Sequence, residues 1–306
     1  MDFGNFGSRF YSVKIYLSMK NFSFPALEPF NFLGLSGQSY KKAKTVILPV
    51  PYSSTTTWKT GTNNGPQAII EASRHLELYD IEAKKDFSKK GIFTLDLLEP
   101  SKNSPKETIL RIKKIVDKIL RNKKIPFILG GEHSITLGAV MSFKDKFSDL
   151  SVLQFDAHAD LRGEYEGTKY SHACVMRRIR DLKIPVTQVG IRSVSEEESK
   201  YIGKIKNSNI FYAPDLPIDE IVNSLKKNVY LSFDLDIFDP SIMPSTGTPE
   251  PGGLGWYEVL GLIKEVSKKR KIVGADMVEL DPIPGFSAPD FLAAKLAYKI
   301  IGYVAG

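Results

Sequence analysis

Three short segments of the sequence carry side chains that could hold metal ions. In a β-strand, residues two positions apart point the same way, so the acidic groups within each segment are predicted to share one face. Carboxylates crowded together repel and desolvate one another unless a cation offsets their charge. The candidate ligands are two imidazoles and four carboxylates: His133, Asp156, His158, Asp160, Asp234 and Asp236.

This ligand set indicates which metal would bind and what it would do. It is rich in oxygen, includes imidazole and lacks thiolate, which favours hard divalent ions such as Mn²⁺ over a structural zinc ion. Four carboxylates neutralise two divalent ions, and two ions that share carboxylates are arranged to activate a water molecule. The sequence therefore predicts two Mn²⁺ per chain.

Taken singly, each segment has a simpler explanation. An Asp-x-His after a strand is commonly a cap or a turn pair, and an Asp-x-Asp is commonly part of a loop. Three of the four histidines in the chain lie near these segments. That concentration favours a metal site over three unrelated turns.

A scaffold of alternating strands and helices is predicted to bring the segments together. Strand-like apolar runs alternate with helix-like stretches, which is typical of crossover units and a mostly parallel sheet. The strand runs are almost continuously apolar, as expected where helices cover both faces. Ligand sites in such sheets lie beyond the carboxyl ends of the strands, where all three segments fall. The predicted strands are 44–51, 93–97, 126–130, 151–156, 186–191, 209–212, 229–235 and 272–280, and the predicted helices include 64–78, 106–120, 134–144, 195–205, 255–268 and 289–304.

Length and composition are those of a globular protein. The 306 residues, of which 42% are hydrophobic and 25% charged, exclude a disordered or collagenous chain. No apolar run reaches the ~18 residues that a membrane-spanning helix needs. The single cysteine, Cys174, excludes an internal disulfide and favours a packing role in a reducing cytoplasm. One α/β domain is expected at 44–306, after an aromatic arm at 1–43 whose residues 10–24 contact the body or a neighbouring subunit.

The net charge of +7 raises the question of a nucleic-acid partner. The lysines occur in short pairs dispersed along the sequence, and no aromatic side chains interleave with them as a stacking platform requires. The densest basic run, 268–271, falls where a helix is predicted to end, so it complements the negative helix terminus. A soluble, lysine-rich surface is predicted, and a basic nucleic-acid-binding protein is the alternative of a different class.

The three segments and their surroundings resemble the ureohydrolase family. This family contains agmatinase, arginase and relatives, which hydrolyse guanidino groups to urea. The similarity covers roughly residues 44–304 and implies a three-layer arginase/deacetylase-like fold and a homo-oligomer, a trimer or hexamer. The motifs that carry it are PVPY (49–52), GGEHS (130–134), DAHAD (156–160), SFDLD (232–236), TGTPEPGG (246–253) and DMVELDP (276–282).

Carried over position by position, the resemblance assigns roles to these residues. The implied ligands of one ion are His133, Asp156, Asp160 and Asp234, and those of the second are Asp156, His158, Asp234 and Asp236, with Asp156 and Asp234 shared. His172 matches the histidine that transfers a proton, and Glu279 matches the carboxylate that grips the guanidinium group. Without the resemblance, His172 would be interpreted as a helix-start residue and Glu279 as a strand-end surface charge. His75 matches no motif and is interpreted as structural.

The loop at 161–169 bears on the substrate. It lacks the Asn and Ser groups that hold the amino-acid carboxylate in arginase-like members, and it is most similar to agmatinases. Glu164 and Glu166 could attract the distal ammonium of agmatine or be solvated loop charges, whereas Arg162 could pair with a carboxylate. Agmatine, hydrolysed to putrescine and urea, is the predicted substrate, and arginine, guanidinobutyrate and aminopropylagmatine are alternatives.

Two other classes share parts of this pattern. A zinc deacetylase has a similar fold and an Asp-x-His motif, but the two carboxylates of the third segment and the stretch at 246–253 favour two metals and urea chemistry. A non-catalytic binding protein on the same scaffold would be expected to have lost ligands, whereas all six are present. A metal-dependent hydrolase of guanidino C–N bonds is therefore the predicted class.

Overall fold

The computed structural model describes residues 27–206 and 208–305. Strands and helices alternate along these residues, as the apolar pattern predicts. The strands are β1 (Thr45–Val50), β2 (Tyr79–Asp80), β3 (Lys85–Asp86), β4 (Ile92–Thr94), β5 (Ile125–Gly130), β6 (Leu150–Phe155), β7 (Val186–Ile191), β8 (Ile210–Tyr212), β9 (Asn228–Asp234) and β10 (Lys271–Val278). The helices are α1 (Gly65–Ser73), α2 (Pro105–Arg121), α3 (Thr136–Lys146), α4 (Val175–Asp181), α5 (Glu196–Ile202), α6 (Ile218–Ser224), α7 (Trp256–Lys269) and α8 (Ala288–Ala305).

Eight of these strands form one sheet in which every neighbouring pair is parallel. Their order across the sheet is β4-β1-β5-β10-β9-β6-β7-β8, while β2 and β3 form a separate antiparallel pair. Parallel neighbours need a crossover connection, which explains why helices separate most of the strands along the chain.

Each face of the sheet packs against its own helices, which gives three layers. Within β9, Leu231 and Phe233 belong to one hydrophobic core and Tyr230 belongs to the other. The first core also contains buried residues of α1, α6, α7 and α8, and the second those of α2, α3 and α4. The predicted single α/β domain with helices on both faces of a parallel sheet is therefore confirmed.

Helix α2 illustrates how the sequence sets these elements. The hydroxyl of its N-cap residue, Ser104, accepts a hydrogen bond from the Glu107 N–H at 3.2 Å. Pro105 occupies the first helical position, where no intrahelical donor is needed. Ile109 and Ile112 are buried on the side that faces the sheet, as the helical period requires.

Some elements differ from their predicted bounds. The helix predicted at 64–78 ends at Ser73, whose hydroxyl donates to the Ile70 carbonyl at 2.7 Å and accepts from the Leu33 N–H at 2.8 Å. Such local side-chain bonds compete with a continuing helix. The strand predicted at 93–97 is the shorter β4, an edge strand that pairs only with β1. The helices α4 and α6 have seven residues each, too few for a clear periodic signal.

The body of the fold begins before residue 44. Phe32 and Leu33 are buried in the first core, and the Phe32 N–H donates to the Thr94 hydroxyl at 3.1 Å. The segment 10–24 lies outside the described residues, so its assignment as an aromatic arm stays a prediction. Within the two described ranges, no helix is both long enough and apolar enough to cross a membrane.

Candidate active site

The four central strands of the sheet, β5, β10, β9 and β6, end at one edge, and chemically reactive side chains follow each of them. Asp234 is the last residue of β9, and Asp156 is the first residue after β6. His133 lies shortly after β5, and Glu279 directly follows β10. The topology therefore gathers residues from distant parts of the sequence at the edge where open α/β sheets bind ligands.

The loop after β6 turns its own ligands toward one another. The Asp156 Oδ1 atom accepts a hydrogen bond from the His158 N–H at 2.6 Å. Asp160 has a φ of +54°, a left-handed conformation that reverses the chain. The expectation that strand alternation aligns these residues is wrong, because β6 ends at Phe155 and the loop itself sets their directions.

The turn after β9 also contains a hydrogen bond from a backbone N–H to an acidic side chain two residues earlier. The Asp234 Oδ1 atom accepts from the Asp236 N–H at 2.9 Å, and a 3-10 turn at Leu235–Ile237 follows. The Asp236 carboxylate is held by the loop after β6, because its Oδ1 atom accepts a hydrogen bond from the Ala157 N–H at 2.9 Å. The two acidic segments are thereby joined through the backbone of one and the carboxylate of the other.

His133 lies at the centre of three carboxylates. Its Nδ1 atom is 3.0 Å from Asp156 Oδ2, 3.1 Å from Asp160 Oδ2 and 3.3 Å from Asp234 Oδ2. The ring is buried, and within the described residues Nδ1 forms no well-aligned hydrogen bond. Nδ1 is thus a buried nitrogen aimed into a ring of oxygen atoms, as a metal ligand would be.

His158 forms a second group beside the first. Its Nδ1 atom is 2.8 Å from Asp236 Oδ2 and 3.6 Å from Asp156 Oδ1. Ligand atoms of His133, Asp156 and Asp160 lie within 4.8 Å of one another, and so do those of Asp156, His158 and Asp236. The structure brings all six predicted ligands together, and Asp156 belongs to both groups.

The electrostatics of the cluster call for positive charge. Burial, together with the charge of Asp156, raises the pKa of Asp160 to about 7. Burial and the charges of Asp236 and Asp156 raise the pKa of Asp234 well above its usual value. Ionised carboxylates this close are stable only beside a cation. The oxygen-rich donor set with two imidazoles therefore fits hard divalent ions.

A buried chain of hydrogen bonds fixes the orientation of His133. Its Nε2 atom is 2.9 Å from the Ser232 hydroxyl, which donates to Asp276 Oδ1 at 2.9 Å, while the Tyr230 hydroxyl donates to Asp276 Oδ2 at 2.7 Å. Because Ser232 donates to Asp276, its oxygen accepts from Nε2–H of the histidine. The lone pair of Nδ1 is left to face the carboxylates.

Replacing Ser232 with alanine is expected to weaken metal binding about 10–100-fold, since it removes the acceptor that orients the ligand histidine and leaves a buried N–H unpaired. Titration of the chelator-treated protein with Mn²⁺ measures the change. Ser142→Ala is the matched control, because that buried hydroxyl donates to the Lys113 carbonyl at 3.0 Å, away from the cluster. Equal Mn²⁺ affinity in the two variants would contradict the proposed orienting role.

Two glutamines support the shared carboxylate, and sequence reasoning missed both. Gln154 Nε2 donates to Asp156 Oδ2 at 2.6 Å, and Gln188 Nε2 donates to Gln154 Oε1 at 2.6 Å. Both glutamines are buried, in β6 and β7, where the other polar side chains are the small hydroxyls of Ser151 and Thr187. A large polar residue inside such a strand, which for Gln154 lies two residues before Asp156, is the signal that could have identified them.

His172 lies in the same cavity but outside both ligand groups. The ring Nε2 atom of His172 is 3.0 Å from the Thr57 hydroxyl, and the backbone N–H of His172 donates to the Thr55 hydroxyl at 3.1 Å. The Tyr165 ring meets the imidazole edge-on at 5.7 Å between centroids. Burial lowers the pKa of His172 from its usual value, which favours the neutral ring.

Glu132 holds the loop that contacts His172. This buried carboxylate accepts from the Ser54 N–H at 2.5 Å, the Thr55 N–H at 2.7 Å and the Thr55 hydroxyl at 2.6 Å. Ser134 donates to the same carboxylate at 2.6 Å. The sequence did not predict this role, because the partners lie almost eighty residues apart along the chain.

Glu279 faces the cavity beside the ligand cluster. Its Oε1 atom accepts from the His133 N–H at 2.6 Å, and its own backbone has a φ of +66°. Burial and the charge of Glu132 raise the pKa of Glu279 well above its usual value. A cationic group bound at this carboxylate would favour its ionised form and would be held strongly.

The cavity has a volume of about 300 Å³. Its lining residues revise the predicted role of the 161–169 loop in substrate binding. Glu164 and Glu166 are exposed and do not line it, so they are not placed to meet a bound substrate. Glu250 does line it, and its Oε1 atom is 3.7 Å from His158 Nε2. Sequence reasoning quoted Glu250 only as part of a motif and missed it as a cavity carboxylate.

Arg162 and Glu198 also line the cavity, but both are engaged. Glu198 accepts from the Leu161 N–H at 2.8 Å and completes the capping box of Ser195 at the start of α5. The Arg162 guanidinium lies over the Tyr165 ring at 5.1 Å and 4.0 Å from Glu198 Oε2. Its charge is therefore already matched, which weakens the case for a substrate carboxylate.

The two remaining residues singled out by the sequence lie outside the chemistry. Cys174 is buried, and burial raises the pKa of its thiol to about 11, so it remains a neutral packing residue. His75 is 69% exposed at its side chain and 3.8 Å from Glu71 in α1. Neither residue lines the cavity.

Comparison with known proteins decides the family. The sequence model of the arginase family matches residues 43–302. The chain belongs to the arginase family. It is 38% identical over 277 residues to the N(1)-aminopropylagmatine ureohydrolase of Synechocystis, covering 87% of this chain and 90% of the relative. It is 35% identical over 268 residues to the agmatinase of Pyrococcus horikoshii, covering 86% of this chain and 92% of the relative.

Solved structures agree with this family assignment. The agmatine ureohydrolase of Thermoplasma volcanium superposes with a TM-score of 0.81 at 32% identity, covering 94% of this chain and 97% of that structure. A putative agmatinase from Clostridium difficile gives a TM-score of 0.82 at 33% identity, covering 87% and 99% respectively. The predicted ureohydrolase resemblance and fold are confirmed, and this arginase-family member is a hydrolase of guanidino C–N bonds.

Proposed function

We propose that this ureohydrolase releases urea from a guanidinoalkylamine, with N(1)-aminopropylagmatine as the first candidate substrate and agmatine as the second. The observation that supports it is the half-exposed Glu250 carboxylate, which lines the same cavity as Glu279 and the ligand cluster. One carboxylate for the guanidinium group and another for a distal ammonium suit a substrate that is cationic at both ends.

The order of the two substrates rests on the relatives. Four proteins 36–38% identical to this chain are named N(1)-aminopropylagmatine ureohydrolase, and the Pyrococcus horikoshii agmatinase is 35% identical. This order revises the prediction from the sequence, which put agmatine first. Arginine is disfavoured, because its carboxylate would be buried near Glu250 and the acidic cluster. Of the two cations that line the cavity among the described residues, Arg162 lies 4.0 Å from Glu198, and Lys59 donates to the Thr246 carbonyl at 3.3 Å.

The site is proposed to hold two Mn²⁺ ions. When bound, such ions lower the pKa of water so that hydroxide is available near neutral pH. His133 and Asp160 would serve one ion, His158 and Asp236 would serve the other, and the remaining carboxylates would be shared. The supporting observations are the two ligand groups that meet at Asp156 and the raised pKa of Asp160 and Asp234.

The remaining groups are proposed to orient the substrate and move a proton. Glu279 pairs with the guanidinium group and turns its carbon toward the cluster. Addition of the oxygen of a water molecule to that carbon yields a tetrahedral intermediate, and the C–N bond to the alkyl amine then breaks. His172 accepts a proton that the water loses and gives it to the departing amine. Urea and a primary amine leave.

The substrate assignment is tested by urea release from aminopropylagmatine, agmatine, arginine and guanidinobutyrate in the presence of Mn²⁺. Glu250→Gln is expected to lower kcat/KM for the two amine substrates about tenfold, since it removes one charge-assisted contact. Guanidinobutyrate, whose distal group is a carboxylate, should improve or stay unchanged. Glu164→Gln, which changes an exposed carboxylate outside the cavity, is the matched control and should alter none of the rates.

Two results would contradict the proposal. If the parent enzyme turns over arginine as well as it does aminopropylagmatine and agmatine, the substrate class is wrong and only the ureohydrolase assignment remains. If Glu250→Gln loses metal, then Glu250 acts on His158 and not on the substrate, since the two side chains are 3.7 Å apart. Metal content is therefore measured for each variant.

A further inference from the structure

A second and larger cavity lies at the opposite edge of the sheet, where the parallel strands begin. Its volume is about 970 Å³. Ten lysines and one arginine line it, and among the described residues no aspartate or glutamate does. The cationic residues are Lys44, Lys85, Lys90, Lys123, Lys124, Lys146, Lys227, Lys268, Lys269, Arg270 and Lys271. We call this the basic cavity.

The strand order builds a row of lysines along one side of the basic cavity. The strands β1, β5, β10 and β9 are consecutive neighbours in the sheet. Lys44, Lys124 and Lys227 immediately precede β1, β5 and β9, and Lys271 is the first residue of β10. Neighbouring strands lie about 4.8 Å apart, so four strand starts span about 14 Å. The row is therefore linear and regularly spaced.

Some of these cations already have partners. Lys124 Nζ donates to the Lys41 and Ala43 carbonyls at 2.8 and 2.6 Å, and Lys146 Nζ donates to the Leu120 carbonyl at 2.6 Å. These hydrogen bonds give partners to backbone carbonyls near the ends of helices and loops, which explains why some of the lysines lie here. They use carbonyl dipoles, which do not cancel a full positive charge.

The remaining lysines of the basic cavity differ in whether a carboxylate lies beside them. Lys268 is 2.5 Å from Glu265, and Lys269 is 2.9 Å from Asp219. In contrast, the exposed ammonium groups of Lys123, Lys227 and Lys271 form no ion pair with any carboxylate in residues 27–206 and 208–305. These three lysines are free to meet an anion from solution.

The charge of the whole chain is concentrated at this edge. The sequence has 42 basic and 35 acidic residues. With the eleven cations of the basic cavity set aside, together with the paired Glu265 and Asp219, 31 basic residues remain against 33 acidic ones, a balance of −2. Burial and the charges of Lys44 and Lys85 lower the pKa of Lys90, which shows that these like charges lie close enough to oppose one another.

We propose that the basic cavity binds a short chain of phosphates, either inorganic polyphosphate or the triphosphate of a nucleotide. Lysine ammonium groups bind phosphate oxygens as point charges. A linear row of them offers one cation to each of several phosphates, whereas a single monovalent anion would neutralise only part of the cluster. Of the lining residues that the structure describes, none has an exposed aromatic ring, since Phe87 is buried and Phe147 and Tyr303 are half-buried. Stacked bases of a single strand are therefore not favoured.

This inference is independent of the proposed reaction. The candidate active site lies at the carboxyl ends of the strands and the basic cavity at their amino ends. The strands between them have six to eight residues, which at about 3.3 Å per residue separates the two sites by about 20–26 Å. A variant of the basic cavity can therefore lose its ligand and keep its urea release, and failure of one proposal leaves the other standing.

Isothermal titration of the full chain with inorganic tripolyphosphate tests the proposal. The variant Lys123→Gln, Lys227→Gln, Lys271→Gln is expected to bind at least tenfold more weakly than the parent. The matched control is Lys102→Gln, Lys114→Gln, Lys204→Gln, which removes the same charge from exposed lysines that do not line the cavity. The control should bind as the parent does, and both variants should keep the parental rate of urea release and circular dichroism spectrum.

Further titrations identify the ligand chemistry. ATP should bind similarly to tripolyphosphate, and AMP at least tenfold more weakly, because it carries one phosphate. Equal binding by both triple variants would show that only net charge matters and would overturn the proposal. So would AMP binding as tightly as ATP, or a single-stranded oligonucleotide that binds the parent far more tightly than tripolyphosphate and is weakened by the same three substitutions.

Discussion

Replacing Asp234 with asparagine is expected to reduce urea release at least a thousandfold, which corresponds to about 4 kcal/mol of transition-state stabilisation. The substitution keeps the shape of the side chain and its acceptor for the Asp236 N–H, which lies 2.9 Å from Asp234 Oδ1. It removes one negative charge from a cluster in which Asp234 Oδ2 is 3.3 Å from His133 Nδ1. A shared ligand is lost to both proposed ions at once, so the metal content per chain should fall together with the activity.

The control for this prediction is a second buried aspartate. Asp80 is 2% exposed, and its Oδ2 atom is 2.9 Å from Lys299 Nζ, far from the ligand cluster. Asp80→Asn removes one of two carboxylates beside Lys299, since Glu82 Oε2 remains 3.3 Å from its Nζ, and should lower the free energy of unfolding by about 1–3 kcal/mol. At a temperature where it remains folded, it should keep its metal and its turnover. Full activity of Asp234→Asn, or full activity of the parent with one ion per chain, would refute the two-metal proposal.

The sequence was a good guide to the elements and to the residues that meet at the site. Continuous apolar runs located the main strands of the sheet to within one or two residues at most ends, because strands covered on both faces cannot carry polar side chains freely. The six proposed ligands were selected by their chemistry and by their positions after strands, and the structure brings them together. The directions of their side chains could not be predicted, because hydrogen bonds such as that from the His158 N–H to Asp156 shape the loops after β6 and β9.

What the sequence could not supply is the order of neighbours in space. Lys44, Lys124, Lys227 and Lys271 look dispersed along the chain, yet the sheet order β1-β5-β10-β9 places the starts of their strands side by side. The contact between Glu132 and Thr55 depends in the same way on the pairing of β1 with β5. Apolar periodicity predicts that strands exist, but it does not state which strands pair, so contacts across the sheet are invisible to it.

Replacing His172 with alanine is expected to lower kcat about 10²–10⁴-fold while the metal content stays at the parental level. The imidazole lies outside both ligand groups, and its Nε2 atom faces the Thr57 hydroxyl at 3.0 Å within the cavity. Burial lowers the pKa of His172 and so favours the neutral ring, which can accept a proton before giving it to the departing amine. Loss of this group should slow breakage of the C–N bond and leave substrate binding by Glu279 in place, so KM should change little.

His75, two residues beyond α1, provides the matched comparison. His75→Ala removes an imidazole that is 69% exposed and paired only with Glu71 among the described side chains, so it should leave kcat and metal content unchanged. Added imidazole or a primary amine should restore part of the lost rate in His172→Ala, since a small acid in solution can replace a missing proton donor but not a missing metal ligand. If His172→Ala instead loses metal, then His172 is a ligand and the proton-transfer role is wrong. If it keeps both metal and full turnover, the proton reaches the leaving amine by another route.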